Sequence, residues 1–297
     1  MELCSTSEIC EIAVKNDFVA GQFIIKDLEG VKGVLTAAQS ENIPVILGIT
    51  GKDFKSIGDL ESFILYIKNY AKKLEIPVAL HFDHGGEQSL EQIIRVVRLG
   101  FTGVMYDASN LLLVDNINVL RKVVEICHPL DISVEGAIGI MPSGYCGEMV
   151  TKESADNEKE KFDARPQFSD PQEAKTFIEA TGIDILAISV GTIHGIPDRQ
   201  ITIDVNRLKE IKKVTNNTYL SIHGGSGTPK GELLKLIHSG VAKINIGADI
   251  YKGVTEGIRV LFENNPGVEM IRDLHTDRMI KNVVDSYIKI FNSFRKK

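Results

Sequence analysis

This chain has no long apolar run, no surplus of basic residues and only four cysteines, and each shortage removes a class of function. No stretch approaches the roughly 18 consecutive apolar residues of a membrane-spanning helix, so partners in a membrane are not expected. The opening residues, "MELCSTSEICEIAVKND", lack the basic and then apolar pattern of a secretory signal, and the expected location is the cytoplasm. The 34 basic residues stand against 40 acidic ones, a formal net charge of −6. That balance argues against a dedicated nucleic-acid binder, which must neutralise a line of phosphates; small anions stay open as ligands. Cys4, Cys10, Cys127 and Cys146 show no C-x-x-C spacing, which suits packed free thiols better than a disulfide frame or a zinc knuckle. No linker, low-complexity tract or exact repeat divides the chain. Its 297 residues, 43% of them hydrophobic, are read as one domain, residues 1–297, with a large core.

What the chain does have is alternation. β-Branched apolar runs fall near residues 18–23, 44–50, 78–83, 103–108, 132–138, 185–190, 219–224 and 242–247. Between them lie amphipathic stretches such as "KDLEGVKGVLTAAQSEN", "SLEQIIRVVRLG", "DPQEAKTFIEATG" and "KGELLKLIHSG", the last three ending on a glycine suited to a helix C-terminus. Eight strand–helix units in this length predict an α/β fold, a (β/α)₈ TIM barrel. The doubly wound open sheet is the competitor, because order along the chain does not reveal closure. One connection is out of proportion: after the fifth strand, "GIMPSGYCGEMVTKESADNEKEKFDARPQFSDP" precedes the next helix. Its charged middle reads either as a solvated excursion or as a flap that closes over a site. A helical extension is expected at the C-terminus, in "RDLHTDRMIKNVVDSYIKIFNSF".

In a barrel the C-terminal strand ends share one rim, where such folds carry their chemistry. Four histidines lie at those ends: His81 and His84 flank Asp83 in "LHFDHGG", His194 stands in "SVGTIHG" and His223 in "SIHGGSG". An imidazole binds metal or carries a proton, and glycines without Cβ let backbone N–H groups converge on an anion. A lone histidine there reads more readily as a hydrogen-bonded core or surface residue. Three of them, each followed by glycine, suggest three neutral ligands with a fourth position left open, the arrangement of a catalytic zinc. His81 lies two residues before Asp83, on the same barrel face one layer down, where packing or a hydrogen bond to the site suits it better than ligation.

These segments resemble the zinc-dependent class II ketose-bisphosphate aldolases, which cleave fructose or tagatose 1,6-bisphosphate, and the likeness spans nearly the whole chain. "LHFDHG" is similar to the family's H-x-D-H segment, which implies Asp83 as catalytic acid/base and His84 as a zinc ligand; "GTIHG" and "SIHGGSG" imply His194 and His223 as the other ligands. The resemblance further implies that Gly195, Gly224, Gly225, Ser226, Asn245, Ile246, Gly247 and Ala248 bind the phosphate of the triose half. It also implies a homodimer or homotetramer, and Arg278, in the C-terminal segment, is expected to reach a phosphate, within the chain or across subunits. The implied reaction is aldol cleavage of a ketose phosphate to dihydroxyacetone phosphate and an aldehyde, with one zinc ion per chain and a monovalent cation as a second candidate cofactor. Breaking the C3–C4 bond leaves a carbanion next to a carbonyl, which a Lewis acid at the carbonyl oxygen stabilises, so no Schiff-base lysine is needed.

The sequence also departs from the family pattern. Where the family shows V-E-x-E-L-G, this chain reads "VEGAIG", keeping Glu135 but placing Ala137 at the second glutamate. Glu148, in "GYCGEM", is the nearest counterpart of the family's loop acid that moves the second proton. Asp107, in "YDAS", resembles the family's D-G-S and is expected to orient a ligand or hold a cation. The lysine that often follows "IHG" is missing, with Arg199 the only nearby cation, and Ala248 replaces a hydroxyl residue. A redirected or non-catalytic zinc barrel that binds a sugar phosphate is therefore the alternative.

Overall fold

The computed structural model describes residues 2–84, 89–142, 168–197, 199–265, 267–272 and 274–294. Eight parallel strands close in sequence order: β1 (Ala20–Ile24), β2 (Val45–Thr50), β3 (Val78–Asp83), β4 (Gly103–Tyr106), β5 (Ser133–Ile138), β6 (Ile185–Ile188), β7 (Tyr219–Ile222) and β8 (Lys243–Ile246). Each overlaps one of the eight runs read from the sequence. The pairing of β1 with β8, with Gln22 opposite Asn245, is what excludes the open sheet. Barrel strands are covered by packed side chains within and by helices outside, so they read as nearly continuous apolar runs such as "VILGIT".

The outer layer follows from local signals. Helix α1 (Thr6–Lys15) starts with a capping box of Ser5 and Glu8. Aspartate or serine side chains accept the first N–H groups of α2 (Leu28–Ser40), α4 (Leu60–Ala71), α5 (Leu90–Leu99), α7 (Pro171–Thr181) and α8 (Val205–Val214). Only α3 (Phe54–Ile57) and α6 (Leu113–Cys127) among these lack such a cap. Gly100 and Gly182 end α5 and α7 in the left-handed region, whereas α9 (Lys230–His238) is capped by Ser239 with Gly240 one place later. Two long helices finish the chain, α10 (Ala248–Asn264) and α11 (Thr276–Phe291). The buried side chains of α11 include Ile280, Val284, Ile288 and Phe291; each contributes about 1.5–3 kcal/mol of apolar burial where α11 meets α2, α10 and β1.

Helix α1 plugs the N-terminal end of the barrel: Cys4 N–H donates to Val78 O at 3.0 Å and Ser7 N–H to Ser133 Oγ at 2.9 Å. Cys4, Cys10 and Cys127 are free thiols, each pushed up to about 12 by burial, so they pack as protonated groups; Cys146 lies outside the described residues. No helix among the described residues is long and apolar enough to cross a membrane.

Candidate active site

Three imidazoles meet over the C-terminal mouth of the barrel. His84 follows β3, His194 stands in the loop after β6 and His223 follows β7; one ring nitrogen from each lies within 4.8 Å of the others. Their centroids are 4.7, 5.1 and 5.7 Å apart. Two loops hold this arrangement. His194 N–H donates to Pro142 O at 2.9 Å, tying the segment after β6 to the one after β5. Gly224 has φ +70°, and a Cβ there would lie 2.4 Å from Ile193 O, so only glycine lets the chain after His223 pass this close to His194.

The cluster fits a zinc ion. His194 Nε2 is buried with no hydrogen-bond partner among the described residues, a costly state for a polar atom unless something binds it. Burial holds His194 well below the ordinary imidazole value and His84 below it as well, so near neutral pH both offer the uncharged form that metals bind. Glu135 Oε1 lies 2.8 Å from His223 Nε2, which orients that ring and leaves Nδ1, 3.3 Å from the Asn245 amide nitrogen, as the nitrogen with the free lone pair.

Asp83 ends β3 beside the cluster and is 3% exposed. Its Oδ1 accepts the His84 N–H at 2.9 Å, and the Asn245 amide nitrogen lies 3.4 and 3.3 Å from its two oxygens. Burial works against its charge, but the imidazoles of His223 and His84 and the Lys243 ammonium hold the carboxyl below its ordinary value. It is therefore in the ionised form, the form a general base requires.

Beneath it runs a buried polar chain. Lys243 donates to Asn245 Oδ1 at 2.7 Å and Ser221 Oγ at 3.2 Å, and its Nζ lies 2.9 Å from Glu135 Oε2. His81 Nε2 is 3.4 Å from the same carboxylate oxygen, and its Nδ1 is 3.0 Å from Thr6 Oγ1 on α1. Gly103 makes room for that contact, since a Cβ there would lie 2.5 Å from His81 Nδ1. Burial, then the Lys243 charge, lowers His81 to about 4. Burial alone would raise Glu135, but Lys243 and His223 hold it well below the carboxylate range. Removing the cation should expose how much this pair matters: Lys243→Met leaves the buried Glu135 with the His223 ring but without its ammonium partner, and urea unfolding should show a loss of about 3–5 kcal/mol. An unchanged unfolding midpoint would contradict this account, and Lys243→Met with Glu135→Gln should recover part of the loss.

Two cavities meet at the histidines. The first, about 310 Å³, has Met105, Ala137 and Ala187 on its floor and Asp107 and Ser109 on its wall. Ala137 packs with Met105 and Ala187, so an apolar surface lies where the sequence comparison put a second glutamate. Asp107 Oδ1 accepts from the Ser109 N–H and hydroxyl, and its Oδ2 lies 3.9 Å from His84 Nδ1. The second cavity, about 300 Å³, is lined by Gly195, Gly224, Ser226, Asn245, Gly247 and Ala248 together with Asp83 and the histidines.

Several backbone donors expected to face an anion are engaged within the protein. Gly225 N–H donates to Asn245 O at 3.1 Å, Gly247 N–H to Ser226 Oγ at 3.1 Å and Gly227 N–H to Asp249 Oδ2 at 2.9 Å. The Ser226 and Ala248 N–H groups have no protein acceptor among the described residues. Gly225 and Ile246 do not line the second cavity, and Ile246 belongs to the core. Arg278, on the first turn of α11, and Arg199 are exposed and line neither cavity. Glu148 lies outside the described residues.

Two lysines escaped the sequence reading. Lys243 carried a signal, a charge inside the apolar strand "AKINIG" two places from Asn245 and so on the same face. Lys52, which lines both cavities, carried none in its charged loop "TGKDF".

The sequence profile of the family described as fructose-bisphosphate aldolase class-II matches residues 4–296. Among solved structures, the YdjI aldolase from Escherichia coli K12 is similar at 25% identity with a TM-score of 0.81, covering 98% of each chain. A putative fructose-1,6-bisphosphate aldolase from Coccidioides immitis shares 23% identity over 97% of this chain and 96% of its own, with a TM-score of 0.80. Fructose-bisphosphate aldolase from Campylobacter jejuni shares 18% identity over 100% of this chain and 97% of its own, with a TM-score of 0.80; these last two speak for the fold. A closed barrel with three converging histidines and an ionised aspartate, matched along nearly its full length by one profile, places the chain in the class II fructose-bisphosphate aldolase family, as an aldolase acting on carbon–carbon bonds.

Proposed function

We propose that this aldolase is zinc-dependent and interconverts a ketose phosphate with dihydroxyacetone phosphate and an aldehyde. The observation that carries the reading is Asp83, a buried carboxylate held by Asn245 and the His84 N–H at the edge of a three-imidazole cluster. His84, His194 and His223 would hold the zinc, which when bound acts as a Lewis acid towards the substrate's carbonyl oxygen. Asp83 takes the proton of the C4 hydroxyl on cleavage and returns it on condensation. Asn245 keeps that carboxylate aimed, and Lys243 keeps Asn245 aimed through its Oδ1. Asp107 steadies His84, while Glu148 serves the proton on the carbon next to the carbonyl. The N–H groups of Ser226 and Ala248 face the phosphate of the triose half.

The substrate is expected to differ from fructose 1,6-bisphosphate at its aldehyde half. The triose half meets backbone donors that the fold provides, whereas the other half meets side chains over the apolar floor of Met105, Ala137 and Ala187. The enzyme should therefore exchange a proton of dihydroxyacetone phosphate with solvent while cleaving fructose 1,6-bisphosphate poorly. Isotope exchange paired with a cleavage assay tests this. Strong cleavage would restore the ordinary bisphosphate specificity; neither exchange nor binding would favour the non-catalytic zinc barrel.

A further inference from the structure

Among the described residues, the second cavity is short of positive charge for the ligand proposed to occupy it. A phosphate ester brings a charge of nearly −2, and the cavity already holds the carboxylates of Asp53 and Asp83. Burying such an anion requires a cation or strong donors. The backbone supplies fewer donors than the glycine-rich sequence suggests, because the Gly225, Gly227 and Gly247 N–H groups are bonded within the protein. Among the described residues, and leaving aside the histidines, Lys52 is the one basic side chain of the cavity lining.

Lys52 sits in a built turn. Thr50 Oγ1 donates to Asp53 Oδ2 at 2.6 Å, and Asp53 N–H donates to Thr50 O at 3.0 Å. The acids near it are thus occupied: Asp53 by Thr50, and Asp83 by Asn245 and the His84 N–H. Lys52 itself forms no ion pair among the described residues, and its exposed side chain borders both cavities where they join at the histidines. From this position its flexible stem can bring the ammonium to an anion in the glycine-lined cavity.

We propose that Lys52 is the cation that binds the phosphate of the triose half, making it a specificity residue for phosphorylated over unphosphorylated substrate. The assignment rests on the ketose-phosphate reading above. Lysine acts here as a point charge rather than a bidentate fork, so arginine in its place keeps the attraction, and an uncharged chain of similar length loses it.

Zinc-loaded wild-type, Lys52→Met and Lys52→Arg proteins, checked for equal melting temperatures, should be titrated calorimetrically with dihydroxyacetone phosphate. The same proteins should be assayed for proton exchange on that compound and on unphosphorylated dihydroxyacetone. Lys52→Met should weaken binding of the phosphate ester by about tenfold or more, with a far smaller change in dihydroxyacetone exchange, and Lys52→Arg should recover most of the affinity. Equal losses with both compounds, or no loss with either, would overturn the assignment. If the wild-type protein exchanges the ester's proton and Lys52→Met binds it as well, only the role of Lys52 falls. If the wild-type protein neither binds nor exchanges it, the ketose-phosphate reading falls and the Lys52 assignment falls with it.

Discussion

Asp83→Asn should lower kcat for aldol turnover by about two to four orders of magnitude, the contribution of a positioned acid or base, while zinc and substrate still bind. The substitution preserves shape. The new amide can turn its oxygen towards the His84 N–H and the Asn245 amide, the two donors that hold the carboxylate now. What it cannot do is accept the proton of a substrate hydroxyl. The loss should therefore appear in kcat rather than in the binding constant, measured by steady-state kinetics beside calorimetric titration and metal analysis. Normal turnover would remove Asp83 from the chemistry; loss of zinc would mean that its role is to hold the metal site together.

Chelation should abolish activity, and added zinc or cobalt should restore it, with metal analysis giving one ion per chain. Three imidazoles on three different strand ends, one with a buried unpaired nitrogen, have no evident common purpose without an ion between them. His194→Ala and His223→Ala should each lose the metal. His81→Ala should keep it, because that ring points into the layer below, between Thr6 and Glu135. Its cost should appear in stability instead. Full activity in a metal-free preparation would overturn zinc dependence, and metal loss in His81→Ala would show that the buried chain from Thr6 to His223 governs ligation.

Much of this protein was legible in its order of residues, for a local reason. Strands and helices are set by short-range preference and by periods of two and 3.6, so all eight strands and the glycines after α5 and α7 could be read from "VILGIT", "RLG" and "ATG". His84, His194 and His223 were legible because each stands directly after a strand or in the loop that follows it, and a barrel gathers those ends on one rim.

Closure of the sheet was decided only by β1 meeting β8, residues more than two hundred positions apart whose pairing no local pattern encodes. The fate of the backbone donors in "GGSG" was likewise a tertiary matter. Whether Gly225 and Gly227 face a ligand or bond to Asn245 O and Asp249 Oδ2 depends on how the end of β7 lies against β8 and α10. Lys52 shows the limit most plainly. In the sequence it is one lysine in a charged loop, and only the fold, by gathering the end of β2 on one rim with the ends of β3, β6 and β7, places it at the edge of two cavities. Local sequence determines which elements form and which residues stand at their ends; what those residues face is set by long-range packing, which no single segment contains.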